Sequence, residues 1–95
     1  MDSINPPTNE RISLIDYPCD FPIKVMGLRV EGFEEAMVGV ACNFDPLFDR
    51  KRVETRLSSG GNYLGITLHV WATSRDQLDA LYRTLCAHPM VKVVL

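Results

Sequence analysis

The sequence predicts a ferredoxin-like α/β sandwich, an α+β fold in which two helices cover one face of a four-stranded antiparallel sheet. Two segments have helical periodicity, four have the character of strands, and their order along the chain is βαββαβ. A Gly-Gly turn joins the second and third strands. Because crossover connections are right-handed, both helices must lie on the same face, and the strands take the order 4-1-3-2.

The first strand is predicted from Phe21 to Val30, with alternation of apolar residues that ends near Gly27. A helix is predicted from Gly32 to Phe44, ended by the Asp45-Pro46 pair, since proline disfavours helical geometry in the residue before it. The apolar residues of this helix form one stripe at period 3.6: Phe33, Ala36, Met37, Val40, Ala41 and Phe44.

The second strand is predicted from Asp49 to Leu57, and its many charges indicate an edge strand. A hairpin loop at Ser58 to Asn62 leads into the third strand, Leu64 to Thr73. In that strand Thr67, His69 and Trp71 are expected on the face opposite the core. The residues expected to face the core are Leu64, Ile66, Leu68, Val70 and Ala72.

The second helix has a predicted capping box, in which Ser74 is the N-cap and Gln77 the reciprocal partner. Its buried stripe is Leu78, Leu81, Tyr82 and Leu85. His88-Pro89 ends the helix, and Met90 to Leu95 forms the last strand.

The composition is that of one small domain. Residues 17–95 are predicted to form it, and residues 1–16 a flexible N-terminal tail without periodicity. The formal charge of −2 argues against a general nucleic-acid binder, which needs a clear excess of Lys and Arg. No signal peptide or membrane-spanning run is recognised, so a cytoplasmic location is expected.

No residue pattern predicts catalysis, a metal or a cofactor. The three cysteines are widely separated, and neither His69 nor His88 lies at a ligand spacing from them. Cys42 and Cys86 are interpreted as small buried apolar residues. The Gly60-Gly61 pair opens a strand instead of a helix, so it does not form a phosphate loop. The protein is therefore expected to be non-enzymatic.

An ordered series of short segments resembles the YbeD-like proteins, small bacterial domains of unknown function. The segments are Tyr17-Pro18, Phe21, Lys24 to Gly27, Ser58 to Tyr63, Ile66-Thr67, Gln77, Leu81-Tyr82 and Val91 to Leu95. The resemblance implies a fold akin to the ACT regulatory domains, which bind small effectors at paired domains. It implies no catalytic residues. The chain departs from the pattern at Gly65, where a serine is expected, and from Phe44 to Arg52.

This resemblance implies one candidate site, in the turn between the first strand and the first helix. Gly27 and Gly32 would permit close approach of a small effector, and Arg29 could hold its carboxylate. The alternative is that both glycines serve only the backbone.

A second candidate site is the sheet face that the helices leave open. The face is expected to display Met26 together with five cations and one anion: Lys24, Arg50, Arg52, Arg56 and Lys92, with Glu54. The binding residues proposed there are Lys24, Arg52, Arg56, His69 and Trp71, with Trp71 as the anchor. The acidic residues are expected to gather on the helical side.

Two functions remain open at this stage. The first is a regulatory or adaptor module that binds a small effector or a protein partner. The second is an RNA- or anion-binding module that uses the basic face around Trp71, although Lys24 replaces the aromatic residue that RNA-recognition motifs carry on the first strand. The apolar last strand also predicts a weak homodimer through edge pairing.

Overall fold

The computed structural model describes residues 16–95, so the tail predicted at residues 1–16 lies outside the described residues except for Asp16. The helices and strands follow the predicted order, with one additional 3₁₀ turn. They are β1 Cys19–Leu28, α1 Phe33–Phe44, the 3₁₀ turn Arg50–Arg52, β2 Val53–Leu57, β3 Tyr63–Ala72, α2 Arg75–Ala87 and β4 Val91–Val94.

The four strands form one antiparallel sheet in the order β2-β3-β1-β4, which confirms the predicted 4-1-3-2 topology. The two central strands pair along their whole length, from Cys19 opposite Ala72 to Leu28 opposite Tyr63. β2 and β4 are the edges. The register of β4 shifts between Met26 and Gly27, which marks a bulge in this pairing.

The core lies between the sheet and the two helices, and the predicted helical stripes supply one side of it. Phe33, Met37 and Ala41 of α1 are fully buried, as are Leu78, Leu81 and Leu85 of α2. The sheet supplies alternate residues, as its period of two requires: Phe21, Ile23, Val25, Ile66, Leu68, Val70 and Ala72. Both helices therefore cover one face, and the other is left open.

The predicted bounds of all four strands differ from the observed ones, and β3 lies one residue earlier than Leu64 to Thr73. β1 begins two residues earlier than Phe21 and ends at Leu28, and β4 is shorter at both ends than Met90 to Leu95. The largest error is in β2, predicted from Asp49 but starting at Val53. The Asp49 carboxylate accepts a hydrogen bond from the Lys51 backbone N–H at 2.8 Å, which caps the 3₁₀ turn and delays the strand.

Asp45 organises the segment that follows α1. Its carboxylate is 4% exposed and accepts hydrogen bonds from the backbone N–H groups of Leu47 and Trp71, at 3.2 and 2.9 Å. The Arg52 guanidinium donates to the same carboxylate at 2.9 Å. This turn buries Phe48, a core residue that no periodicity indicates. The guanidinium carbon Cζ of Arg52 lies 5.7 Å from the centre of the Phe48 ring.

Gln77 joins α2 to two other elements. The predicted cap is present, because the Ser74 hydroxyl accepts from the Gln77 N–H at 3.1 Å. The Gln77 side chain accepts from the Thr73 N–H at 2.6 Å instead of from that of Ser74. Its amide N–H groups donate to the carbonyls of Phe44 and Trp71, at 2.8 and 3.1 Å. One side chain thus connects the ends of α1 and β3.

Candidate functional site on the open sheet face

A groove runs along β3 on the open face of the sheet. Its floor contains Gly65 and Thr67, whose side chains are absent or short, while longer side chains of β1 and β2 stand on either side. We call this depression the β3 groove, and its volume is about 820 Å³. It exists because the floor residues are smaller than their cross-strand neighbours.

One wall of the β3 groove is largely apolar. Met26 of β1 lies opposite Gly65 on one side and Val93 of β4 on the other. Lys24 exchanges two backbone hydrogen bonds with Leu95, at 2.7 and 3.3 Å, so these two residues also share the open face. Met26, Val93 and Leu95 are 39%, 46% and 56% exposed. They form a contiguous apolar strip from the groove to the β4 edge, and Leu28 and Tyr63 extend it.

Two cations line the β3 groove on opposite sides of its floor. Lys24 pairs with Thr67 of β3. Arg56 pairs with Gly65, which lies two residues before Thr67. Neither makes an ion pair within residues 16–95, where Arg50, Arg52 and Arg75 all do. Within residues 16–95, the groove therefore presents two cations without an ion-pair partner beside an apolar strip.

His69 marks the far end of the groove. Its Nε2 lies 2.8 Å from a carboxylate oxygen of Glu54, and its Nδ1 lies 3.9 Å from the Asp20 carboxylate. The carboxylate of Glu54 is an acceptor, so the imidazole donates this hydrogen bond. Glu54 is thus held toward His69, at the opposite end from Arg56.

The prediction of a strongly basic face is wrong. Arg52 lies in the 3₁₀ turn, where it bonds to Asp45 and, at 3.2 Å, to Asp20. Arg50 is in the same turn and pairs with Glu35 of α1 at 3.0 Å. Both charges are compensated, because their side chains leave the turn toward neighbouring acids instead of following a strand's alternation.

Trp71 lies on the open face as predicted, opposite Asp20, and is 46% exposed. It lies two residues after His69 in β3 and does not line the groove. Of the five predicted sheet-face residues, the structure thus brings Lys24, Arg56 and His69 together in the groove. It leaves Arg52 and Trp71 outside.

The predicted effector turn shows structural roles for its two glycines. A Cβ on Gly27 would lie 2.3 Å from the Met90 carbonyl oxygen and 2.7 Å from the Phe33 ring. Gly32 is the N-cap of α1 with φ of 88°, a conformation that favours glycine. Arg29 is exposed, and its backbone N–H donates to the Asn62 carbonyl at 3.1 Å. Effector binding at Gly27, Arg29 and Gly32 stays a prediction.

Sequence reasoning placed Met26 on the open face but missed Val93 and Leu95 beside it. Lys92 was expected there, but Val93 lies opposite Met26, because the bulge in the β1–β4 pairing shifts the alternation. Gly65 was noted only as a departure from a family pattern. Its position between two long-chained neighbours on a predicted open face was the available signal for a groove. Cys86 is exposed, which contradicts its interpretation as buried.

Residues 16–95 show neither a metal-ligand cluster nor a membrane-spanning helix. No group of three or more His, Cys, Asp and Glu side chains in this region is arranged to hold a metal ion. Neither α1 nor α2 has the length and apolar character of a membrane-spanning helix.

Comparison with known proteins identifies the family. A family model described as "Protein of unknown function (DUF493)" matches residues 12–95. The chain belongs to the DUF493 family. A UPF0250 protein of Ralstonia nicotianae is 63% identical over 90 residues, which cover 95% of this chain and 93% of the relative. A UPF0250 protein of Leptothrix cholodnii is 65% identical over 83 residues, covering 87% and 91%. One from Bordetella pertussis is 59% identical over 83 residues, with the same coverage.

These relatives are bacterial proteins of the same uncharacterised family, and the YbeD-like resemblance is confirmed. The DUF493 match begins at residue 12, before the first described residue, and includes all four strands and both helices. The description of the DUF493 family assigns no activity, and the open face is the feature of this chain that indicates one.

Proposed function

We propose that this DUF493 protein is a non-enzymatic adaptor module of the bacterial cytoplasm that binds a protein partner through the β3 groove and its apolar strip. The observation that carries the proposal is the strip formed by Met26, Val93 and Leu95, which stays exposed on the face that no helix covers. Contiguous exposed apolar side chains rimmed by polar residues are typical of interaction surfaces.

The surroundings of this strip support a protein partner in preference to RNA. Binding of RNA on this fold depends on a basic face with stacked aromatic residues. Here Arg50 and Arg52 are compensated by acids, and Trp71 is separated from the groove by His69. The remaining mixture of apolar area and two cations suits a protein surface better.

A small effector in the Gly27–Gly32 turn has less support. The space that Gly27 could offer to a ligand is taken by Phe33 and the Met90 carbonyl, and Gly32 is accounted for by its positive φ. The β3 groove does not extend to this turn, since Gly27, Arg29 and Gly32 are not among its lining residues.

Affinity capture with matched variants tests the proposal. The tagged protein is used as bait in an extract of the source bacterium, beside Val93→Glu and Leu47→Glu. Val93 lies in the apolar strip, whereas Leu47 is 84% exposed in the loop after α1 and outside the groove. We expect a partner that Leu47→Glu retains and Val93→Glu loses. Equal capture by both variants would contradict the proposal.

Two further variants separate the alternatives. Trp71→Ala should leave partner capture largely intact if the groove is the interface, but abolish it if Trp71 is the anchor. Arg29→Ala should abolish the thermal shift caused by an amino acid or metabolite only if the effector turn is the site. Sedimentation of Val93→Glu shows whether the partner is a second copy of this chain paired along β4.

A further inference from the structure

We infer that the β3 groove recognises an acidic segment of the partner, in which at least one carboxylate is flanked by apolar side chains. This inference rests on the proposed function and adds the chemistry of the partner. It comes from the juxtaposition of Lys24, Arg56 and the apolar strip over a floor without bulky side chains.

The first step concerns the two cations. Lys24 and Arg56 stand on opposite sides of β3 and line the same groove. Neither has an ionic partner within residues 16–95, whereas the neighbouring Arg52 is bound by two carboxylates. A carboxylate placed between Lys24 and Arg56 would receive charge-assisted hydrogen bonds from both sides.

The second step concerns the space between them. Gly65 lies between Met26 and Arg56 in the cross-strand register and contributes no side chain to the floor. Its absent Cβ would meet only the Arg56 carbonyl oxygen, at 3.4 Å, so the region above Gly65 is open. A carboxylate from a partner can therefore reach the floor of the groove without displacing a side chain.

The third step concerns the acid already present. Glu54 is the single acidic side chain that lines the groove among the described residues, and it is hydrogen-bonded to His69 at 2.8 Å. It pairs with Thr67 across from Lys24, and its hydrogen bond to His69 directs its carboxylate away from the Gly65–Arg56 pair. The positive potential at Gly65 is thus not cancelled by a contact with Glu54.

The fourth step concerns the flanks. Met26 and Leu95 line the groove beside Lys24, and Val93 adjoins Met26 at the β4 edge. Free glutamate or phosphate would leave this apolar strip in water. A segment with apolar residues next to its carboxylate would bury the strip as well, at roughly 25 cal/mol per Å² of apolar surface.

Titration with defined peptides tests the inference. Three fluorescein-labelled ten-residue peptides are used: one repeats Glu-Leu-Asp-Val, one is its Gln and Asn isostere, and one replaces every acid with Lys. A ten-nucleotide uridine oligonucleotide is the fourth probe. Anisotropy gives the affinity, and ¹⁵N chemical-shift mapping gives the location. We expect the acidic peptide to bind about tenfold more tightly than its amide isostere and to shift the amides of Gly65 and Arg56.

Charge variants with matched controls decide which residues are responsible. Lys24→Gln and Arg56→Gln should each lower the affinity for the acidic peptide by about threefold to tenfold. The double variant should bind the acidic peptide no more tightly than the amide isostere. Lys51→Gln and Arg83→Gln are the controls, because both residues are exposed and neither lines the groove. We expect less than about twofold change from them.

Three results would overturn the inference: equal affinity for the acidic peptide and its isostere, binding unaffected by the double variant, or preferential binding of the oligonucleotide with loss in the double variant. The last result would assign the groove to nucleic acid. The proposed function is judged separately, because a partner that is lost with Val93→Glu but retained by Lys24→Gln/Arg56→Gln would leave the adaptor role intact and refute only the acidic chemistry.

Discussion

The Asp45 carboxylate accepts a hydrogen bond from the Trp71 backbone N–H at 2.9 Å, and this bond fastens the segment after α1 to the end of β3. The same oxygen accepts from Arg52, so a buried charge is paired where the segment crosses the sheet edge. Asp45 and Asp20 together bind Arg52, which does not line the β3 groove. Asp45 therefore fixes the path of the segment and contributes to the charge balance beside the groove.

The first prediction follows from this arrangement. Asp45→Asn should reduce the free energy of unfolding by about 2–4 kcal/mol, because the amide would keep one oxygen and point N–H groups at a backbone donor or at Arg52. Asp79→Asn is the control, since the pairing of Asp79 with Arg75 along the surface of α2, at 3.7 Å, is weak, and this variant should change the free energy of unfolding by less than about 0.5 kcal/mol. Urea unfolding followed by Trp71 fluorescence measures both. Similar midpoints for the two variants would refute this role of Asp45.

Gln77→Glu should destabilise the protein in a manner that depends on pH. The carboxylate can still accept from Thr73, but it cannot donate to the carbonyls of Phe44 and Trp71. Those carbonyls disfavour the charged form, so the pKa of the new carboxyl is expected to be higher in the folded than in the unfolded state. The decrease in the free energy of unfolding, relative to the natural protein, should therefore grow to about 2 kcal/mol as pH rises from 4 to 7.

Urea midpoints across that pH range check this expectation. Gln77→Ala supplies the comparison, because it also removes the bonds to Phe44 and Trp71 but introduces no titratable group. Its loss of stability should stay constant over the same range. A constant difference for Gln77→Glu as well would show that its carboxyl is not desolvated in the folded protein.

Glycine-to-alanine substitutions should have opposite effects at two positions. Gly27→Ala places a methyl group against the Met90 carbonyl and the Phe33 ring. It should lower the free energy of unfolding by about 2–3 kcal/mol or more. Gly39→Ala lies on the exposed side of α1 with no atom within 4 Å of its Cβ, and should stabilise by about 0.5–1 kcal/mol. Thermal unfolding distinguishes the two signs. Tolerance of Gly27→Ala would leave that glycine free for the effector role.

The sequence was sufficient for the topology because both helices carry complete apolar stripes and the central strands alternate without interruption. It was insufficient where long-range hydrogen bonds decide the local structure. Whether Arg52 follows a strand or turns toward Asp45 depends on a carboxylate seven residues away. Whether Val93 or Lys92 lies opposite Met26 on the open face depends on a bulge in pairing with β1, which alternation in a four-residue strand cannot reveal.

Ionisation of Tyr17 should make the protein less stable at high pH. Burial raises the pKa of this phenol, and the negative charges of Cys19 and Asp79 add to the effect against the lowering influence of Arg75. Since the pKa is higher in the folded state, the folded protein retains the proton longer, and the free energy of unfolding falls as pH rises above about 10. In Tyr17→Phe, the absorbance at 295 nm should lose a tyrosinate component that titrates above pH 10. An unchanged titration curve would contradict the assignment.

Filling the floor of the groove should abolish binding without harming the fold. Gly65→Val adds a β-branched side chain whose Cβ meets only the Arg56 carbonyl, at an ordinary contact distance of 3.4 Å. Valine is favoured in strands and glycine is not, so the free energy of unfolding should stay unchanged or rise by about 0.5–1 kcal/mol. Its branched side chain would occupy the space between Lys24 and Arg56, and partner capture should be lost. Gly65→Ser is the matched control, because its smaller side chain leaves most of this space open. Retained capture by a stable Gly65→Val variant would move the interface away from the β3 groove.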